Sequence, residues 1–345
     1  MDKLRFGVIG AGSIGTIHAD NVKHNKKTDL VAICDIREER AKKLARKLKV
    51  KKTYANYLDM LDNEKLDAVI NGTPNYLHAK IAVDAMNRGV NVLSEKPMAM
   101  NAQEAQSMVD AAKRTGKVLA LGMTQRFTAE GAAAKAAATK ANLGDIYFAK
   151  ATLYRTLGIP GMGSWFTTKA QAGGGPLMDL GPHAIDFAMY LMNFPTPLKA
   201  KGVTFAKIGT KGLGLSTWGH AEPGGPFDVE DLGIAIVELS GGIVMLVEVS
   251  WATYIQEFWN VNVLGDKGGI SFRPPALISE RKGRLKTTKL KAKKVEPYAL
   301  EVEDLVQCIK TGKQPLGRPE DGVVVMKIID AIYRSAESGD QVSIQ

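Results

Sequence analysis

The stretch from residue 4 to residue 15 constrains this chain more than any other. A short apolar run, Leu4-Arg5-Phe6-Gly7-Val8-Ile9, ends in Gly10-Ala11-Gly12-Ser13-Ile14-Gly15, and residues 16–25 can then form a helix. Strand, G-x-G-x-x-G and helix in that order have a physical logic. Gly10 permits the tight turn, Gly12 lets the backbone approach a pyrophosphate, and Gly15 allows the helix to pack closely on the strand. The phosphates then sit at the helix N-terminus, on backbone amides such as those of Ser13 and Ile14. A second apolar run over 30–34 ends in Asp35, twenty positions beyond Gly15. An acid at that place accepts hydrogen bonds from the adenosine ribose hydroxyls and repels a 2′-phosphate, so NAD is expected as cofactor. Arg37 and Arg40 keep NADP open, because an arginine can accommodate the extra phosphate, although both also fit the solvated face of a helix over 37–48.

Further strand and helix units follow: strand 68–70, helix 77–89, strand 90–93, helix 102–115 and strand 118–121. Repeated alternation with short turns means a doubly wound parallel sheet covered by helices on both faces, an α/β Rossmann domain. Ligands in such a sheet lie at the strands' C-terminal ends. That rule selects three turns: Asn71-Gly72-Thr73-Pro74-Asn75, Ser94-Glu95-Lys96-Pro97 and Gly122-Met123-Thr124-Gln125-Arg126-Phe127. Lys96 follows a fully apolar strand, at a place the fold aims toward the cofactor.

A length of 345 residues exceeds what one hydrophobic core usually supports. Two domains are expected, 1–123 and 124–345, with helices in 301–345 able to pack back on the first. Cys34 and Cys308 each sit in an apolar pattern without metal-ligand spacing, and read as buried reduced thiols of a cytoplasmic protein. Met1 leads almost directly into the first strand, leaving no room for a signal peptide, and no apolar run approaches membrane-spanning length. The net charge of +10 raises the question of nucleic acid, but eight basic residues and no acidic ones fall within 281–294, and without them the balance is +2. That run lacks interleaved aromatics and reads as a solvated hairpin, so neither nucleic acid nor membrane is expected as a partner.

In the second half, the alanine-rich run 131–141 reads as a helix ended by Asn142-Leu143-Gly144. Strands are expected over 146–154, 199–205, 232–239, 244–251 and 258–264, the later ones forming an antiparallel meander through the turns Ser240-Gly241-Gly242 and Asp266-Lys267-Gly268-Gly269. Helices return over 304–309 and 321–336. Between the first of these strands and residue 173 lies a glycine-rich loop, 155–167, of the kind that closes over substrate. Arg155, Trp165, His220 and Arg126 are the candidate substrate contacts.

The candidate reaction centre runs over 173–191. Asp179 is a good N-cap and Pro182 is tolerated in a helix's first turn, which would place His183 on the carboxylate's face one turn in. An Asp before a helix is commonly just a cap, and Asp186 one turn later reads equally as a supporting residue or as solvent-facing. No third ligand accompanies Asp179 and His183, so no catalytic metal is expected.

Taken together, the glycine turn, Asp35, Thr73-Pro74-Asn75-Tyr76-Leu77-His78, Glu95-Lys96-Pro97 and the spacing of Asp179 and His183 resemble the Gfo/Idh/MocA oxidoreductases, over essentially the whole chain. The resemblance implies a catalytic set of Lys96, Asp179 and His183, with His183 as general base. It implies cofactor contacts from Gly10, Gly12, Ser13, Ile14, Asp35, Arg37, Thr73, Pro74, Asn75, His78, Glu95, Lys96 and Gln125, and a cis peptide before Pro97. It further implies an α+β second domain with a large, mostly antiparallel open sheet, one face toward the cofactor domain and the other pairing subunits as a homodimer or homotetramer. Substrates in that family are mainly sugars, amino sugars, inositols and other polyols. Two rival classes stay open: glycosidases that use NAD in a transient oxidation, and regulatory proteins that bind NAD(P) without catalysis.

Overall fold

The computed structural model describes residues 2–141 and 143–345. Asn142, expected to help end the alanine-rich helix, and Met1 lie outside the described residues. In chain order the first half contains β1 (Leu4–Ile9), α1 (Ser13–His24), β2 (Thr28–Cys34), α2 (Glu38–Leu48), β3 (Lys52–Tyr54), α3 (Tyr57–Asn63), β4 (Ala68–Asn71), α4 (His78–Asn87), β5 (Asn91–Glu95), α5 (Ala102–Thr115) and β6 (Leu119–Gly122). There follow α6 (Ala129–Lys140), β7 (Ile146–Tyr154), α7 (Lys169–Ala172), α8 (Pro176–Asp179), α9 (Gly181–Leu191), β8 (Pro197–Phe205), β9 (Leu232–Leu239), β10 (Ile243–Ser250) and β11 (Phe258–Gly265). The chain closes with β12 (Gly268–Ser271), β13 (Ala276–Arg281), β14 (Arg284–Lys289), α10 (Pro297–Thr311), α11 (Pro319–Ser338) and β15 (Val342–Ser343).

Two compact units result, Met1–Thr124 with Glu296–Val323, and Gln125–Val295 with Val324–Gln345. The first holds a parallel six-stranded sheet in the order β3-β2-β1-β4-β5-β6. Val8 pairs with Ile33 on one side and Ile70 on the other. Strand order therefore reverses at β1, the switch point where such sheets bind ligands. Local chemistry sets the helix ends: Asn101 Oδ1 accepts the Glu104 amide at 2.9 Å to start α5, and Gly116 ends it in the left-handed region. The segment 124–345 is not continuous in this division, because α10 packs against α1. Val302, Leu305 and Val306 share one apolar core with Phe6, Val8, Ile33 and Leu44. A helical pattern tells which face of α10 is apolar, not which core receives it.

The second unit carries a nine-stranded sheet in the order β14-β13-β12-β11-β7-β10-β9-β8-β15. The expected meander fails at one point. Consecutive strands β10 and β11 are not neighbours; β7 lies between them, antiparallel to β11 and parallel to β10, with Val247 beside Ala151. A meander assumes that each strand pairs with the next, whereas β7 arrives far earlier in the chain and takes the central place with Ala149, Ala151 and Leu153 buried. Helix α9 covers one face, packing on β7, β10 and β11. Beyond β11 the sheet extends through β12 to the β13–β14 hairpin, which turns at Lys282 and Gly283, both at positive φ. All of β14 is exposed, so the basic run is indeed a solvated hairpin.

Candidate active site

At the switch point of the first unit the three glycines do different work. Gly10 has φ +93°, and a Cβ there would lie 2.5 Å from the Gly72 carbonyl oxygen. A Cβ on Gly15 would fall 1.8 Å from the Gly10 oxygen, so both positions are closed by backbone. Above Gly12 nothing lies within 4 Å, and α1 begins there without a side-chain cap. The α1 N-terminus thus presents its first amides, Ser13 and Ile14 among them, to open space, which fits a pyrophosphate. Asp35 fixes this turn: its Oδ2 accepts the Ala11 amide at 2.7 Å and its Oδ1 the Arg37 amide at 2.8 Å. Each carboxylate oxygen retains a further lone pair, so Asp35 can still receive a ribose hydroxyl. Arg37 is exposed at the start of α2.

The turns after β4 and β5 are tied together from below. Thr73 Oγ1 donates to Asn71 Oδ1 at 2.7 Å, and Asn71 Nδ2 donates to the His78 carbonyl at 3.1 Å. Pro74 leads into a short turn of helix that buries Asn75. His78, expected as a cofactor contact, is 1% exposed, with Nδ1 2.7 Å from the Pro97 oxygen and Nε2 2.9 Å from the Thr73 oxygen. It braces the two turns. Burial holds the imidazole pKa below its ordinary value, although both carbonyls favour the imidazolium. Glu95 is buried at the end of β5, and the Lys96-Pro97 bond that follows is cis. Lys96 itself is half-buried.

In the second unit the reaction-centre stretch differs from its expectation. Asp179 is not an N-cap; it is the last residue of α8, and Leu180 alone separates it from α9. Helix α9 begins without a side-chain cap, and it is the start of α8 that a distant carboxylate serves. The Glu230 carboxylate accepts the amides of Gly175 and Leu177 at 3.0 Å each, and Tyr333 donates its hydroxyl to Glu230 Oε1 at 2.8 Å. Burial nevertheless pushes the Glu230 carboxyl pKa up. Asp179 turns its carboxylate inward: Oδ2 accepts the Trp251 indole N–H at 2.8 Å and lies 3.7 Å from Arg155 Nη1. His183 sits on the first turn of α9, its amide bonded to the Leu180 carbonyl at 3.1 Å. Its ring centroid is 6.2 Å from that of Trp259. Arg273 stacks on Trp259 with its guanidinium carbon 4.0 Å from the ring centre, and donates to Gln125 Oε1 at 3.4 Å.

Arg126 and Asp186 also change reading. Arg126 is 2% exposed and grips Asp186 through Nε at 3.0 Å and Nη2 at 2.5 Å, with the rings of Tyr190 and Phe194 4.6 and 5.2 Å away. Neither residue faces solvent, and the pair anchors α9. Trp165 stacks on Phe166 at 3.7 Å, and Phe166 meets Trp218 edge-on. His220 is exposed. Trp251, Trp259, Glu230 and Arg273 were missed from sequence. The first two end or begin expected strands, and only the placing of both strands beside β7 brings them to Asp179 and His183.

A family model described as "Oxidoreductase family, NAD-binding Rossmann fold" matches residues 4–123, and one described as "GFO/IDH/MocA C-terminal domain" matches 132–271. A D-glucoside 3-dehydrogenase of Escherichia coli is 32% identical over 99% of this chain and 97% of its own length. A myo-inositol 2-dehydrogenase of Thermotoga maritima is 24% identical, covering 99% of both chains. Among solved structures, GenD2 from gentamicin A biosynthesis, in complex with NAD, superposes with a TM-score of 0.82 at 25% identity, covering 100% of this chain and 97% of that one. The chain belongs to the GFO/IDH/MocA family of NAD-dependent oxidoreductases.

Proposed function

We propose that this protein oxidises a secondary hydroxyl of a sugar, inositol or related polyol, with His183 as general base, Asp179 as the group that orients it or the substrate hydroxyl, and Lys96 as the cation stabilising the developing alkoxide. The observation that carries the reading is Asp179: a buried carboxylate four residues before His183, held by an indole N–H and an arginine instead of capping a helix. When bound, NAD supplies the two-electron acceptor, taking the carbinol hydrogen with its electron pair. The hydroxyl proton passes to the His183 imidazole, the C–O bond becomes C=O, and the proton leaves to solvent as the ring returns to its neutral form. Histidine suits the task because its ordinary pKa lies near working pH. Arg155, beside Asp179, is the foremost substrate contact, with Trp165 and His220 as further candidates on their loops.

Glucosides are the first substrates to test, since a relative named D-glucoside 3-dehydrogenase matches over 99% of the chain. The experiment is a panel of glucosides, free sugars, inositols and sugar phosphates with NAD and NADP, read at the nicotinamide absorbance band. Steady reduction with at least one neutral polyhydroxy substrate is the expected result. Substrate cleavage without net reduction would replace this reading by transient oxidation, and cofactor binding without turnover would replace it by a regulatory role.

The exposed Val203, Phe205 and Ile236 of β8 and β9 are the surface on which a homodimer or homotetramer would form. Light scattering of the wild type and of Ile236→Lys tests this, the variant being expected to shift to a smaller species.

A further inference from the structure

Beneath the glycine turn the first unit encloses a cluster of ionisable groups that the proposed chemistry does not use. His18 of α1, Glu95 at the end of β5 and Glu301 of α10 converge there, with side-chain exposures of 0%, 7% and 0%. His18 Nε2 lies 2.6 Å from Glu95 Oε1 and 3.8 Å from Glu301 Oε2. The other Glu95 oxygen, Oε2, accepts the backbone amide of Lys96 at 3.3 Å. Among the described residues, neither Glu301 oxygen nor His18 Nδ1 has a hydrogen-bond partner of normal geometry.

We propose that His18, Glu95 and Glu301 form a buried proton-sharing triad in which Glu301 is a positioning residue: as the neutral acid it leaves Glu95 as the one carboxylate of the cluster, free to hold the Lys96 amide. The proposal rests on the assignment of Lys96 to the reaction. Two carboxylates and one imidazole enclosed together cannot all discard their protons, since like charges a few ångströms apart in a dry site disfavour double ionisation. The 2.6 Å contact is a charge-assisted hydrogen bond, too short for two ligands flanking a metal ion. Glu301, fully buried and farther from His18 than Glu95, is therefore where the retained proton belongs, and burial followed by the Glu95 charge pushes its pKa well up. The other groups around the cluster agree. Tyr298 lies edge-on to His18 with its hydroxyl pKa pushed up to about 12, chiefly by burial. Thr124 can donate toward Glu301, Asp304 adds negative charge on the same helix, and His78 feels Glu95 and Lys96 from α4. The tether is two-sided: Glu95 holds the Lys96 amide while His78 holds the Pro97 carbonyl. Ionising Glu301 would set a second charge against Glu95 and loosen that tether.

Wild type, Glu301→Gln and Lys96→Ala are compared. Glutamine keeps the shape of the neutral acid and cannot ionise. Because the Glu301 pKa is raised in the fold, its stabilising effect is complete below the unfolded carboxyl value of about 4.3 and declines as pH rises toward the folded value. The unfolding midpoint of Glu301→Gln should therefore fall less than that of wild type as pH rises from about 4.3. The ratio of its kcat to that of wild type should rise with pH in the same direction, with KM for NAD moving less than kcat. Parallel pH dependences of the two proteins would overturn the triad, as would a stoichiometric divalent metal in wild type that is lost in Glu301→Gln. Unchanged kcat in Lys96→Ala would overturn the positioning role and the Lys96 assignment together; the unfolding comparison, which involves no turnover, judges the shared proton separately.

Discussion

The indole of Trp251 donates a 2.8 Å hydrogen bond to the carboxylate of Asp179, and both residues are buried. This bond reaches across 72 positions of sequence and joins the end of β10 to the end of α8. It fixes the carboxylate's orientation before any substrate arrives. Trp251→Phe keeps most of the ring volume and removes the donor, so kcat should fall about tenfold, worth roughly 1.4 kcal/mol. KM for NAD should not change. Steady-state kinetics at saturating cofactor check this.

The three glycines of the turn should separate cofactor binding from folding. Gly12→Ala meets open space and should fold with an unchanged unfolding midpoint, while its methyl group blocks the pyrophosphate and weakens NAD binding about tenfold. Gly15→Ala collides with the Gly10 carbonyl and should lose about 1–3 kcal/mol of stability. Calorimetric NAD titration and denaturant unfolding on both variants distinguish the two effects.

His78 should give the fold an acid-side weakness. Its pKa is depressed in the native state, chiefly by burial, so its contribution is present above the unfolded value of about 6.5 and is lost as pH falls from there through the folded value. His78→Gln offers no such titration. Its urea-unfolding free energy should decline less than that of wild type between about pH 7 and pH 5.

Arg126 was a substrate candidate by sequence and is a buried partner of Asp186 in the fold. Arg126→Ala leaves Asp186 as an uncompensated buried charge and should cost about 3–5 kcal/mol of stability. A variant of normal stability with raised substrate KM would restore the earlier reading.

How far sequence reached follows from the range of each signal. The glycine turn, Asp35 and the strand and helix alternation are local patterns, and they define the first sheet almost completely. The partners of Asp179 are not local. Its role as a cap follows from propensity alone, and that propensity is overridden because Trp251, 72 positions onward, takes up its carboxylate. Likewise Arg126, Asp186 and His78 have the residue types of a binding site, but burial and geometry spend them on bracing. The central place of β7 is a choice of partner, and hydrophobic periodicity carries no information on partners. Strand β12, half glycine, carries no hydrophobic alternation that would mark it.

The measurement that tests the account most directly is the single-turnover rate of nicotinamide reduction by His183→Ala, with NAD saturating and the best substrate of the panel. A fall of about 10²- to 10⁴-fold, with NADH binding retained and the unfolding midpoint unchanged, is predicted for loss of the general base. A rate within a few-fold of wild type would contradict it.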